Sequence, residues 1–193
     1  AAQHYRQSLR ILEATIGVEH SVYATILNNF AETLRGQGRY AEAERLLRQA
    51  LETRERSGAA SARETVFIQN NLGLALQEQG KYSEAERAFR QLLEDARSVI
   101  DPGHPEYAIL QNNLAMAVES QGRFEEAAEL YHLSSEITRA ALGEAHPRYG
   151  IALSNTGGAL SSLGRHEEAI TALERSLGIL EHSLGESHPQ FAA

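Results

Sequence analysis

The chain has 193 residues with no cysteine, no tryptophan and one methionine, and 26 acidic against 18 basic side chains give it a formal charge of −8. The missing cysteines exclude disulfide scaffolds, thiolate metal sites and cysteine nucleophiles, and scattered rather than clustered cations argue against a nucleic-acid partner. No apolar run approaches the ~18 residues of a membrane span, and Ala1–Leu12 lacks the layout of a signal peptide, so a cytoplasmic protein with no membrane partner is expected.

A shift of 42 residues aligns most of the chain with itself. Asn29, Asn71, Asn113 and Asn155 share one phase, as do Gly38, Gly80, Gly122 and Gly164. Each glycine is followed by Arg39, Lys81, Arg123 or Arg165 and then by Tyr40, Tyr82, Phe124 or His166. In chain order, 1–20 reads as the second helix of a truncated repeat, 21–62, 63–104, 105–146 and 147–188 as full repeats, and 189–193 as the start of a further, truncated helix.

Each repeat reads as two antiparallel helices. The first opens at a His-Pro pair (His104-Pro105, His146-Pro147, His188-Pro189), where proline suits the first helical turn; Ala62-Arg63 takes that place in the second repeat. It closes at the Gly38 class, because glycine adopts the left-handed backbone that a helix stop requires. The second helix starts near Tyr40, Tyr82, Phe124 and His166, and Ala43, Leu46, Leu47, Ala50 and Leu51 show the three-and-four spacing of a single buried face. Such a pair cannot bury its apolar stripe alone, so successive pairs must stack. The expected fold is all-α: a right-handed superhelical α-solenoid of antiparallel helix pairs, first helices on the concave side.

Leu27-Asn28-Asn29-Phe30-Ala31, followed by Leu34, Gly38, Tyr40, Ala43 and Leu47, resembles the tetratricopeptide repeat. The 42-residue period with its His-Pro linker is similar to the kinesin light chain subclass, and the likeness covers essentially the whole chain. For Asn29, Asn71, Asn113 and Asn155 it implies contact with the backbone of an extended peptide on the concave face. A structural alternative stands beside it: a mid-helix asparagine is a poor helix former and costly if buried without partners, so these amides would tie neighbouring helices together. Asn28, Asn70 and Asn112 widen the polar strip, with Ser154 in the last repeat. Helical spacing adds Thr25, Glu32 and Arg35, then Phe67, Leu74 and Gln77, then Ile109, Met116 and Glu119, then Ile151, Gly158 and Ser161 to the same face. Phe67, Leu74, Ile109 and Met116 are candidate apolar pockets, and Arg35 is the one obvious match to the basic groove residues through which kinesin light chains recognise acidic peptides.

Signatures of catalysis are missing: there is no nucleophile elbow, no His-Glu-x-x-His and no phosphate loop. His104, His146 and His188 read as helix-entry residues rather than ligands, because helix axes lie roughly 8–10 Å apart while zinc ligands sit about 2 Å from the ion. No metal and no cofactor are expected. His166 reads as an interhelix packer, His4, His20, His132 and His182 show no pattern, and Gly157-Gly158 reads as a close-packing or helix-weakening pair. Glu125-Glu126 and Glu167-Glu168 read as dipole-matched first-turn residues, and Tyr23, Tyr107, Tyr149 and Phe191 as packing at the first-helix starts. The function expected is a non-enzymatic protein-interaction module that binds a partner's peptide, neutral or basic in charge, in the concave groove. The alternative is a scaffold that forms homo-oligomers through uncapped solenoid ends.

Overall fold

The structure, a computed structural model, describes residues 2–58 and 61–184. The expected helix at 189–193, His188-Pro189 and Phe191 lie outside the described residues. Among those described, the regular structure is nine α-helices. They fall into two compact units, Ala1–Val99 and Ile100–Ala193. The first holds α1 (Ala2–Thr15), α2 (Ser21–Arg35), α3 (Tyr40–Ser57), α4 (Ala62–Glu78) and α5 (Tyr82–Ala96). The second holds α6 (Pro105–Glu119), α7 (Phe124–Leu142), α8 (Pro147–Ser162) and α9 (His166–Leu184).

The turn inside each pair is built the same way four times. Gly38, Gly80, Gly122 and Gly164 have φ between +73° and +77°, the left-handed region open to glycine. That twist returns the backbone N–H of Arg39, Lys81 and Arg165 to Leu34 O, Leu76 O and Leu160 O at 3.0 Å, and of Arg123 to Val118 O at 3.4 Å, a Schellman-type closure that satisfies terminal carbonyls. Arg39 then pairs with Glu42, Arg123 with Glu126 and Arg165 with Glu168, one turn into the second helix.

First helices begin on a histidine cap. Nδ1 of His104 accepts from Glu106 N at 3.2 Å and Nδ1 of His146 from Arg148 N at 3.1 Å. His20 does the same for Val22 N at 3.2 Å, so it belongs to this class after all: it stands two periods before His104, and a serine where the others have proline hid the register. Ser61, which caps α4, makes no side-chain cap bond. His166, expected to pack between helices, is exposed.

Within a pair, closeness is set by one small residue facing one large one. A Cβ on Gly73 would lie 2.4 Å from Phe89 Cε1, and one on Gly157 would lie 2.8 Å from Leu173 Cγ. At the same register, wholly buried Ala31 and Ala115 stand where Leu47 and Tyr131 take the bulky place. Gly158 has nothing within 4 Å of its would-be Cβ, so only Gly157 of that pair serves packing. In the second unit, buried hydroxyls add a tie per pair: Ser134 Oγ donates to Ala108 O at 2.8 Å and Ser176 Oγ to Gly150 O at 2.7 Å. In the first unit, Tyr5 of α1 stacks on Phe30, with ring centroids 5.4 Å apart.

Candidate functional site

In the first unit, α2 and α4 lie side by side and present one face. Two joints hold them in register. Asn71 Nδ2 donates to Asn28 Oδ1 at 2.9 Å. About two turns on, Arg35 forks onto Glu78 through Nε and Nη2, at 2.9 and 2.8 Å. Arg35, the basic residue expected to meet an acidic ligand, is therefore neutralised within the fold. Between the two helices opens a cavity of about 200 Å³ lined by Thr25, Asn28, Arg54, Glu64, Phe67 and Ile68. Phe67 is 48% exposed at its rim, while Asn29, Asn70, Asn71 and Leu74 are half-buried along the same helices.

The second unit repeats the design with α6 and α8. Asn155 Nδ2 donates to Asn112 Oδ1 at 2.7 Å, and Asn112 Nδ2 approaches Met116 Sδ at 3.5 Å. A cavity of about 170 Å³ lies against Ala108, Ile109, Asn112, Thr138, Arg148 and Ile151. Ile109 and Ile151 are 42% and 45% exposed, at the register of Phe67. Asn113 is buried and turned into the packing, unlike its half-buried siblings. The period is 42 residues but the amide joints span 43, because the Asn71 or Asn155 position of one first helix meets the residue one place earlier in register, Asn28 or Asn112, on the preceding first helix.

Two arginines outside the expected set reach these cavities. Arg54, on α3, reaches the first cavity from below, and Arg148 stands at the rim of the second. Arg54 had a signal in the sequence: at its register the other pairs carry Ala96, Thr138 and Leu180, none of them charged.

Electrostatics elsewhere stabilise the pairs rather than activate groups. Burial opposes ionisation of Glu44, but hydrogen bonds from Lys81, Gln79 and Arg48 outweigh it and hold its carboxyl at about 2. Burial, reinforced by the Glu119 carboxylate 2.8 Å away, pushes the Tyr131 phenol well above its ordinary 10. Among the described residues no three His, Asp or Glu side chains come together as a metal site, and no helix is long and apolar enough to cross a membrane.

Comparison with known proteins agrees with this geometry. The Tetratricopeptide repeat family matches residues 1–56, 64–134 and 110–182. Among solved structures, a putative kinesin light chain with nearly identical TPR-like repeats from Podosopora anserina superposes with a TM-score of 0.79 at 23% identity, covering 94% of this chain and 86% of that one. BtubC (BKLC) from P. vanneervenii gives 0.64 at 17% identity over 97% and 91%. A Rap protein complexed with Competence and Sporulation Factor gives 0.75 at 17% identity over 93% and 48%. No curated protein matches in sequence. The repeat type mediates protein–protein interaction and is not typically catalytic, and by its family match and its helix-pair architecture this chain belongs to the tetratricopeptide repeat family, in the all-α solenoid class of its kinesin light chain-like neighbours.

Proposed function

We propose that the chain is a non-catalytic interaction module that holds an extended, neutral or basic peptide segment of a partner protein along the first-helix face of each unit. Asn28, Asn29, Asn70, Asn71, Asn112 and Asn155 line the path of the peptide backbone, while Phe67, Leu74, Ile109 and Met116 receive apolar side chains. The observation that carries this reading is the exposure of Phe67, Ile109 and Ile151 at one register, each beside an asparagine amide and a cavity. Large exposed apolar residues set among convergent polar groups are the usual make-up of a peptide groove. A similarly folded Rap protein is complexed with Competence and Sporulation Factor, which favours ligand capture by this architecture. Peptides selected from a random display library test it. Asn71→Ala with Asn155→Ala, and separately Phe67→Asp with Ile151→Asp, should each weaken the selected peptides by at least roughly tenfold, with circular dichroism confirming the fold. Unchanged affinity in both would refute the groove.

A second reading has its own observation. Ile170, Leu173 and Leu177 form an apolar stripe on α9 that is 40–55% exposed, whereas Ala128, Tyr131 and Ser135 at the same register of α7 are buried. Self-association through that stripe would appear as mass rising with concentration in light scattering, and a strict monomer would exclude it.

A further inference from the structure

In the first unit, a buried cation lies under the first-helix face that the repeat does not require. Arg54 is 3% exposed. Its Nη1 donates to Glu64 and its Nη2 to Thr25 Oγ1 at 3.1 Å, but its buried Nε has no hydrogen-bond partner. Leaving a buried donor unmet is destabilising. The stacking itself does not need it, since Ala96, Thr138 and Leu180 occupy the same register in other pairs. The companion cavity of the second unit, 84 residues on, has Thr138 and Arg148 where this one has Arg54 and Glu64. The Arg54–Glu64 pair is thus a feature of one cavity.

The geometry points to a subsite for a primary carboxamide, the side chain of a glutamine or asparagine in the bound segment; this rests on the peptide-binding reading above. A carboxamide oxygen supplies the acceptor that Arg54 Nε lacks, and because that nitrogen is closed to solvent in the unliganded chain, binding entails a local shift of the side chains over it. Its NH₂ group donates to Glu64, whose side chain is 53% exposed and uses only Oε2 on Arg54. One planar neutral group meets both needs and leaves the ion pair in place. A carboxylate would put a second negative charge beside Glu64 and offer it no N–H, and an ammonium would sit against the guanidinium. Phe67 offers an apolar wall for the methylenes of such a side chain, within a cavity of about 200 Å³.

Random peptide display against the unaltered chain and against the Arg54→Thr, Glu64→Arg double variant tests the assignment. The variant copies residues that the second unit already holds in register, so the fold is kept, and equal thermal melts check this. The expected result is enrichment of Gln or Asn at one peptide position by roughly tenfold for the unaltered chain, lost for the variant. Enrichment of Asp and Glu, or of Lys and Arg, at that position would overturn the subsite. Binding pools without carboxamide preference would overturn it while leaving the groove reading intact, and the absence of any binding pool would overturn both.

Discussion

Replacing Gly73 by alanine puts a Cβ 2.4 Å from Phe89 Cε1 and 2.6 Å from Cζ, where carbon atoms prefer about 3.5–4.0 Å. The Phe89 ring is wholly buried, so it cannot swing into solvent, and relief requires α4 and α5 to separate or the ring to leave its rotamer. Overpacking of this kind costs about 1–3 kcal/mol, with a contact this short at the upper end, about 2–3 kcal/mol, and the better helix propensity of alanine returns about 1 kcal/mol, leaving a net loss of about 1–2 kcal/mol. In a chain of this length the melting temperature should fall by about 2–8 °C, read by circular dichroism at 222 nm, the helix band. Two companions sharpen the test. Gly158→Ala, on an exposed stretch of α8 with nothing within 4 Å, should raise stability by about 0.5–1 kcal/mol. Adding Phe89→Leu to Gly73→Ala should restore part of the loss, because Ala31 and Leu47 already form that combination at the same register. A Gly73→Ala chain as stable as the parent, or a double variant weaker than the single one, would refute the account of helix spacing.

Glu44 predicts an acid-sensitive joint. Its folded-state value of about 2 lies below the ordinary 4.5, so the stability it adds is present above about pH 4.5 and is lost as pH falls toward 2. Glu44→Gln should cost about 1–2 kcal/mol at neutral pH, discounted for partial solvent screening, and flatten the acid limb of a melting-temperature profile; an unchanged limb would exclude the joint. His104→Ala removes a cap worth about 1 kcal/mol, and His104→Asn should keep most of it; equal losses in urea titrations of the two variants would show that the Nδ1 bond does not stabilise α6.

The helix pairs were legible because their determinants are local and repeated. Gly38 and its siblings announce the turn, and the Ala43-Leu47-Ala50 spacing announces the buried face. What stayed hidden depends on meetings between elements. Periodicity alone could not say that Arg35 would be closed by Glu78, since both residues look like solvent-facing charges on separate helices. Nor could it separate Asn113, buried, from Asn71 and Asn155, half-buried, although all three share one phase. Arg54 lacks any first-helix cue, because its own helix lies one layer below the face it serves. His20 shows the reverse case: its determinant is local, but without the following proline the register it shares with His104 and His146 is hidden.

The asparagine joints have a polarity. In both, the later helix donates and the earlier one accepts, so the amide dipoles point the same way relative to the chain. Each joint uses one N–H of the later side chain and one acceptor site of the earlier. A helical surface with no net sequence of backbone donors and acceptors thus acquires a direction of its own, as a sheet edge has, through side chains alone. A strand lying along such a joint meets its groups in a fixed order, and reversing the strand changes which of its own groups face them.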